Sequence, residues 1–466
     1  MDPRNGVPVG DAVVVGGGLA GMLAVGALLD HVDTVTVVER DRYPAEPVFR
    51  KGVPQSRHLH VFLTGGQHAL EALLPGALAE LEAAGARRLE APRDFLTRAP
   101  SGWNRRYHEG RHSMVSCTRP VFDATVRARV LADAAKSRTR VAVLEGSEAV
   151  GLLGGADRVT GLRVRSRDAG RAERELPADL VVDASGRGSR TPRWLAELGR
   201  RPPREEVVDA GIAYTTQMFR PAAPLDAGVA VQARPDCPRG AVWCPVEDGN
   251  WLLTLAGVRG HHPPTDPAGV LDFVASLDEP HLRDHVRADE AVAPAYGFRD
   301  TSNRRRRYEA PGGVPDGLVV VSDAACTFNP IYGQGMSVAA MSARALRDVV
   351  SIGDLQAPGF AAAAQTATAR AGDTAWLTAV GADRPYAAAD RTTPPGLPER
   401  LRTWYFDRLV ARAAIDRTVG AAFRDITFLT ATPNRLLSPA VALRTLLLPR
   451  RPGLAGPPIH QRSTVG

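Results

Sequence analysis

Apolar and polar residues follow two different periods along the chain, and together these periods predict an α/β protein. Residues 11–15 and 34–38 are short valine-rich runs typical of buried parallel strands, and a helix is predicted between them from Leu19 to about Asp30. Further strands are predicted at 141–144, 159–165, 180–182 and 318–321, and further helices at 120–135 and 337–350. Residues 205–300 alternate apolar and polar positions, which predicts a second sheet.

A glycine-rich turn joins the first strand to its helix. Gly16 permits a tight turn, Gly18 lets the backbone approach a pyrophosphate, and Gly21 lets the helix pack on the strand. Glu39 ends the second strand 18 residues after Gly21, where the hydroxyl group of a ribose needs an acceptor. The pattern predicts a dinucleotide site, and the alternative is a glycine-rich turn in an ordinary α/β protein.

A second glycine-rich turn occurs some 300 residues later. The apolar run 319–321 leads into Asp323, and the segment Pro-Ile-Tyr-Gly-Gln-Gly-Met follows at 330–336. Two such turns in this order predict FAD bound along its whole length, with the redox ring beside the second turn. A helix that begins at this turn would direct its N-terminal amides at negative charge on the ring.

Composition narrows the class of protein. The net charge is +7, but the basic residues are nearly all arginine, and the densest run, Arg304–Arg307, has no interleaved aromatic residues of the kind that single-stranded nucleic acid needs. We therefore expect no nucleic-acid partner, and a solvated or phosphate-facing role for that run. No apolar run reaches the ~20 residues that span a bilayer, so no transmembrane segment is expected.

The cysteines and histidines indicate neither disulfides nor metal. The four cysteines show no Cys-x-x-Cys spacing, and the N-terminus begins acidic, unlike a signal peptide, so we expect a cytoplasmic protein with reduced thiols. None of the eleven histidines has a metal-ligand spacing, so no metal is expected. His58 and His60 would share a face of a strand, and a cofactor contact and a structural role remain equally open for them.

The order of these motifs resembles that of the group A flavoprotein monooxygenases, whose FAD domain is interrupted by a substrate sheet. Within this group the chain most resembles bacterial FAD-dependent epoxidases that act on polyene precursors of polyether ionophores. The segments that carry the resemblance are RKGVPQSRH at 50–58, ADLVVDASGRGS at 178–189, FNPIYGQGM at 328–336 and LTATPN at 429–434.

The resemblance implies an α/β fold in three parts. A Rossmann-like FAD-binding domain is expected over 9–89, 112–204 and 301–360. A β-sheet substrate domain is expected over 90–111 and 205–300. A helical C-terminal region is expected over 361–466, broken by the proline-rich stretch 394–398.

The resemblance also implies roles for individual residues. Arg119 would contact the FAD phosphates, Asp183 and Gly186 the adenine half, Asp323 the ribityl or pyrophosphate region, and Gly333, Gly335 and Met336 the pyrimidine edge of the flavin. The cofactor set is completed by Arg40, Lys51, Gly52, Val53 and Pro330. Two positions depart from the family pattern, Ser322 where glycine is usual and Gln334 where close relatives often have histidine.

The predicted second sheet supplies candidates for a substrate pocket. Its larger apolar and aromatic residues are Tyr214, Met218, Phe219, Trp243 and Trp251. As a group they predict an apolar wall over the flavin, because ligand pockets are mostly apolar. The alternative for each one is an ordinary place in the core of the sheet.

The function implied is epoxidation of one or more alkenes of a hydrophobic polyketide or polyene intermediate in natural-product biosynthesis. NAD(P)H would reduce the flavin, and oxygen would be carried as a flavin hydroperoxide whose outer oxygen an alkene attacks without any enzyme base. The sequence therefore does not identify a catalytic residue. Because no second strand–GxGxxG–helix unit is visible, NAD(P)H would dock transiently or a separate reductase would supply electrons.

Other functions remain open on the same fold. An aromatic hydroxylase would need a base that activates a phenol, and a flavin-dependent reductase or dehydrogenase would consume no oxygen. A halogenase is disfavoured because the chain has no Trp-x-Trp-x-Ile-Pro motif. From a different class, the chain could be an FAD-containing chaperone or scaffold.

Overall fold

A computed structural model describes residues 10–168, 170–223, 227–234, 237–387, 396–449 and 451–459. The strands of this part are β1 (Asp11–Val15), β2 (Thr34–Val38), β3 (His60–Leu63), β4 (Arg87–Glu90), β5 (Phe95–Ala99), β6 (Gly102–Trp103), β7 (Ser113–Cys117), β8 (Arg140–Leu144), β9 (Ser147–Gly154), β10 (Val159–Ser166), β11 (Glu173–Pro177), β12 (Leu180–Asp183), β13 (Glu205–Val208), β14 (Ala213–Arg220), β15 (Gly228–Val231), β16 (Arg239–Pro245), β17 (Trp251–Gly257), β18 (Glu290–Ala291), β19 (Tyr296–Phe298), β20 (Asn303–Arg306), β21 (Leu318–Val320) and β22 (Cys326–Thr327).

The helices of the same residues are α1 (Leu19–Leu28), α2 (Thr64–Leu73), α3 (Ala77–Ala83), α4 (Arg119–Ala134), α5 (Thr191–Glu197), α6 (Pro267–Ala275), α7 (Pro280–Ala288), α8 (Gly335–Val350), α9 (Phe360–Ala371), α10 (Asp373–Ala387), α11 (Leu397–Ala413), α12 (Arg417–Thr427) and α13 (Pro439–Leu447). The predicted proline-rich break at 394–398 lies partly outside the described residues, and α11 begins within it.

A five-stranded parallel sheet forms the first layer, in the order β21-β12-β1-β2-β8. Strand order reverses between β1 and β12, and open α/β sheets bind ligands outside the carboxyl ends of their strands at such a reversal. The buried valines of these strands and the apolar faces of α1, α4 and α8 form the largest core cluster. The predicted α/β class with a Rossmann-like sheet is confirmed.

An eight-stranded sheet forms the second layer, in the order β18-β14-β17-β16-β15-β5-β6, with β19 also paired to β14. Its strands come from both 95–103 and 213–298, so the chain leaves the first sheet twice to build it. One face of this sheet packs on α6 and α7 through a separate core cluster that contains Trp103 and Trp243. Residues of the opposite face, such as Tyr214 and Ala256, line a cavity.

The C-terminal region is built of helices that close the space between the two sheets. α9 packs on α8, and α10 contributes Ala375, Trp376 and Ala379 to a cluster that also holds Leu63 and Phe328. A further small cluster joins α11, α12 and α13. The second sheet and the helical C-terminal region expected from the sequence are therefore both present.

The glycine-rich turn allows a direct test of the packing. A Cβ on Gly21 would lie 1.8 Å from the carbonyl oxygen of Gly16, whereas a Cβ on Gly26 in the same helix would lie 3.5 Å from its nearest neighbour. We expect Gly21→Ala to lower the free energy of unfolding by about 1–3 kcal/mol through overpacking. Gly26→Ala should leave it unchanged or raise it by up to about 1 kcal/mol through helix propensity. Urea unfolding of both variants without added flavin measures the difference, and equal stabilities would contradict this packing.

Candidate functional site

A cavity of about 2910 Å³ lies where the carboxyl edge of the parallel sheet, the free face of the eight-stranded sheet and the C-terminal helices meet. Ordinary ligand pockets measure roughly 300–1,000 Å³. The cavity therefore has room for a large cofactor together with a substrate. Both glycine-rich turns line it, although they are some 300 residues apart in the sequence.

The first turn lies against the sheet and opens into the cavity. Gly16 has a φ of +93°, which favours glycine, and a Cβ there would lie 2.9 Å from the carbonyl oxygen of Ala184. A Cβ on Gly18 would meet no atom within 4 Å, because this position faces the cavity at the start of α1. The α1 N-terminal amides, including that of Leu19, are thus exposed to whatever occupies this space.

Glu39 faces the same end of the cavity from the end of β2. Its carboxylate accepts hydrogen bonds from the backbone N–H of Gly17 at 2.7 Å and of Asp41 at 2.9 Å. These bonds fix the orientation of the side chain while each oxygen keeps a lone pair for a further donor. The carboxylate could therefore accept a ribose hydroxyl.

Arginines converge on the middle of the cavity. Arg119 begins α4, lines the cavity and is held by Asp123 at 2.6 Å, while Arg187 and Arg304 line it from two other segments. Burial raises the pKa of Asp323, and the positive charges of these three arginines oppose that rise. A strongly basic centre of this kind could bind a pyrophosphate, since guanidinium groups match phosphate oxygens.

The second turn lines the cavity at its other end. Gly333 adopts a φ of +63°, and α8 begins at Gly335, so the amides of Gly335 and Met336 lie at a helix N-terminus. Pro330 lines the cavity in the same turn. This is the arrangement that could stabilise negative charge on a flavin.

The two departures from the family pattern both lie on the cavity. Ser322 has a φ of +52°, a left-handed conformation that glycine adopts without strain, which explains why glycine is usual at this position. The Nε2 of Gln334 donates to the Oγ1 of Thr378 at 3.0 Å, while its buried Oε1 has no partner among the described residues. An acceptor left open here suits an N–H donor such as that of the flavin pyrimidine ring.

The remaining cofactor candidates divide into two groups. Arg40, Gly52, Val53 and Gly186 line the cavity. Gly21, Lys51 and Asp183 do not. Gly21 packs beneath the first turn, and Lys51 is exposed.

Asp183 does not line the cavity but supports residues that do. It is buried at the end of β12, and its carboxylate accepts hydrogen bonds from the hydroxyls of Ser185, Ser189 and Thr191. It therefore holds the loop whose members Ser185 and Gly186 line the cavity.

The predicted substrate wall requires a correction. Phe219, Trp243 and Trp251 belong to the core cluster behind the eight-stranded sheet and do not line the cavity. Alternate residues of a strand point to opposite faces, and Val242, the neighbour of Trp243 on β16, lines the cavity instead. Met218 shares a strand face with Tyr214 but lies beyond the cavity lining, and Tyr214 is the one member of the predicted set that lines it.

The wall that the structure does form is apolar. It contains aromatic, small and aliphatic residues on the strands of the sheet or directly beside them: Phe95, Ile212, Tyr214, Ala230, Val242, Ala256, Val258 and Phe298. The sequence could have indicated two of them, because Val242 of β16 and Ala256 of β17 each stand next to a large core residue, Trp243 and Leu255.

A buried histidine lies against the eight-stranded sheet. The Nδ1 of His58 is 3.0 Å from the Oγ1 of Thr216, which is in turn 2.8 Å from the Oγ1 of Thr254. Burial, together with the charge of Arg57, lowers the pKa of His58 to about 4. Burial lowers the pKa of His60 to about 3. Both imidazoles line the cavity and are neutral at pH 7.

A polar network that sequence reasoning missed supports the second turn. The Tyr332 hydroxyl donates to Asp383 of α10, which also accepts from the side-chain amides of Asn303 at 2.6 Å and Asn329 at 3.0 Å. Burial raises the pKa of Asp383, and these hydrogen bonds oppose the rise. Asp383 belongs to no recognisable sequence motif, so its role in this network can be seen only in the folded structure.

The comparisons with known proteins agree with this geometry. The family model described as an FAD binding domain matches residues 10–350. Protein Rv3254 of Mycobacterium tuberculosis is 35% identical over 438 residues, which cover 91% of this chain and 89% of that protein. The chain belongs to this FAD binding domain family.

Solved structures show the same fold at low sequence identity. The flavin-dependent brominase Bmp2 aligns with a TM-score of 0.62 at 15% identity, over 90% of this chain and 93% of its own. A variant of 2-methyl-3-hydroxypyridine-5-carboxylic acid oxygenase aligns with a TM-score of 0.59 at 18% identity, over 83% of this chain and 94% of its own. The fold is thus that of flavin-dependent oxygenases and halogenases.

Two further properties concern the described residues alone. None of their helices is both long enough and apolar enough to cross a bilayer. Nor do these residues place three or more histidine, cysteine or acidic side chains where they could hold a metal ion.

Gly18 offers a sharp test of the cofactor end of the cavity. We expect Gly18→Val to abolish FAD binding, because its side chain would fill the open space at the start of α1. Gly155→Val is the matched control, since a Cβ there also meets nothing within 4 Å but the position does not line the cavity. Flavin absorbance after reconstitution measures the FAD content of both variants. Normal FAD content in Gly18→Val would refute the assignment of this end of the cavity to FAD.

The two faces of the eight-stranded sheet give a second test. We expect Trp243→Ala to lower the free energy of unfolding by about 3–5 kcal/mol, as for a large core residue, without changing substrate preference. Tyr214→Ala should instead change which substrate is oxidised, because its ring faces the cavity. Urea unfolding and product analysis compare the variants. A change of product with Trp243→Ala alone would mean that the faces are assigned wrongly.

Proposed function

We propose that this protein is an FAD-dependent monooxygenase that epoxidises one or more alkenes of a hydrophobic natural-product intermediate. The observation that carries the proposal is the continuity of the cavity. One space joins two turns that could hold FAD to an apolar wall on the eight-stranded sheet. A flavin and an apolar substrate could therefore be held side by side.

The lining on the helical side supports a long apolar substrate. Phe406 and Val410 of α11, Phe423 and Ile426 of α12, and Leu436 line the cavity opposite the sheet wall. A space with apolar residues on both sides suits a polyene chain. A small phenol instead needs a compact slot whose polar groups are positioned to bind its hydroxyl.

The ionisation of the lining residues also favours an alkene. His58 and His60 are neutral at pH 7, and burial raises the pKa of Tyr214 and of Tyr332. An alkene needs no base to react with an electrophilic oxygen, so neutral surroundings suffice.

FAD, when bound, supplies the redox chemistry by accepting electrons from NAD(P)H and activating dioxygen. The residues of this chain bind and orient it through the candidates named above, including Glu39, Arg119, Asp323 and the amides at the start of α8. The apolar wall excludes water and positions the double bond.

The source of electrons forms part of the proposal. In the described residues β1 and α1 form the one strand–GxGxxG–helix unit, so NAD(P)H would dock transiently or a separate reductase would serve. We also propose a cytoplasmic location, because the spacing of the cysteines in the sequence indicates reduced thiols.

One observation favours an aromatic hydroxylase as the second candidate. Tyr332 lines the cavity, and its hydroxyl is tied to Asp383. A phenol–carboxylate pair of this kind could relay a proton from a phenolic substrate. A hydroxylated arene as product would support this function over epoxidation.

Isotope labelling tests the reaction. We expect one labelled oxygen atom per epoxide when a polyene is turned over with NAD(P)H under labelled dioxygen, and no label from labelled water. One equivalent of NAD(P)H should be consumed per epoxide. Mass spectrometry of the product measures the label. A saturated double bond formed without oxygen consumption would instead identify a reductase.

A further inference from the structure

The outer surface of the C-terminal helices carries exposed apolar residues that the cofactor site does not use. On α11, Leu397, Leu401 and Trp404 recur at helical spacing and are 67%, 56% and 49% exposed. On α13, three leucines are exposed in the same way. We call the six residues the Leu-Trp patch: Leu397, Leu401, Trp404, Leu443, Leu446 and Leu447.

The two halves of the patch form one surface. The guanidinium of Arg408 lies 5.6 Å from the ring centroid of Trp404. It also donates to the carbonyl oxygens of Thr445 and Leu446, both at 3.1 Å. The end of α13 is therefore fixed beside the exposed face of α11.

Positive charge is concentrated in the segment of the chain that forms this surface. Residues 396–451 hold ten of the 58 basic residues of the chain but only four of its 51 acidic residues. The rest of the chain is nearly balanced, with 48 basic residues against 47 acidic ones. Arg400 of α11 and Arg444 of α13 are exposed and do not line the cavity, and Arg444 also pairs with Asp416 at 3.1 Å. Arg402 and Arg451 are exposed as well but line the cavity.

We propose that the Leu-Trp patch docks on the surface of an anionic lipid bilayer. Exposed leucines and a tryptophan on helices flanked by arginine are the composition of helices that lie in a membrane interface. A second copy of this chain fits less well, because a two-fold interface would place the same positive surface against itself.

Docking there would also place the cavity beside the bilayer. Phe406 and Val410 line the cavity from the face of α11 opposite to Leu401 and Trp404. α11 would then separate the bilayer from the cavity, and a hydrophobic substrate could come from the lipid. This last step rests on the proposed function, whereas docking itself does not.

Vesicle binding by the full-length, FAD-loaded protein tests the proposal. We expect co-sedimentation with vesicles of phosphatidylcholine and phosphatidylglycerol, little with phosphatidylcholine alone, and a loss of binding at high salt. The double variant Leu401→Ser/Leu447→Ser should bind at least about tenfold more weakly. Neither residue lines the cavity. Ile352→Ser is the control, since Ile352 is 90% exposed outside the patch.

Tryptophan fluorescence gives a second readout. Trp404 is 49% exposed, whereas Trp103, Trp194, Trp243, Trp251 and Trp376 are each no more than 7% exposed. Anionic vesicles should therefore shift the emission to the blue and reduce quenching by acrylamide. Equal flavin content and melting temperature in the variants would show that they fold.

Four results would overturn the proposal. These are absence of vesicle binding, equal binding to neutral and anionic vesicles, undiminished binding by the double leucine variant, and vesicle-free dimers that this variant abolishes. Leucine-dependent retention on polyglutamate without vesicle binding would also overturn it and would identify an acidic protein as partner. Vesicle binding without any epoxide formation would leave docking supported and refute the proposed reaction alone.

Discussion

The close approach of three backbone segments at the strand-order reversal is the constraint on which the rest of the site depends. β1 and β12 pair in parallel, α1 returns over β1, and Gly16 lies between them with space for no side chain. Because Gly21 packs on the Gly16 carbonyl, the helix begins close to the sheet and its amides face the cavity. A larger residue at either position would move the helix and close the end of the cavity where the pyrophosphate would bind.

The two faces of the second sheet carry residues of different size. Its bulky residues, such as Trp243, are directed to α6 and α7, while small residues such as Ala256 face the cavity. This division leaves the cavity open between the sheet and the turn at Gly333, where we propose that the substrate binds, and keeps the core behind the sheet filled. The C-terminal helices close the space from the other side, and the network around Asp383 ties them to the turn.

Sequence patterns predict the fold well and the site in part. Both glycine-rich turns need glycine at fixed positions, so they can be recognised as short motifs in the sequence. The motifs alone predict that Gly16, Glu39 and Gly335 lie at one site, and all three line the cavity. The face of a strand is harder to predict, because Trp243 and Val242 are both apolar and only their packing partners separate them. The run Arg304–Arg307 shows a similar limit: Arg304 lines the cavity, whereas the other three pair with acidic residues distant in sequence.

The proposed chemistry requires that one cavity hold FAD and an apolar substrate together. A crystal structure of the FAD-loaded enzyme tests this requirement most directly. We expect the adenosine ribose beside Glu39, the pyrophosphate at the start of α1, and the flavin ring between the turn at Gly333 and the wall formed by Tyr214 and Ala256. A flavin ring bound away from that wall, or FAD lying outside this cavity, would show that the cavity does not serve both ligands.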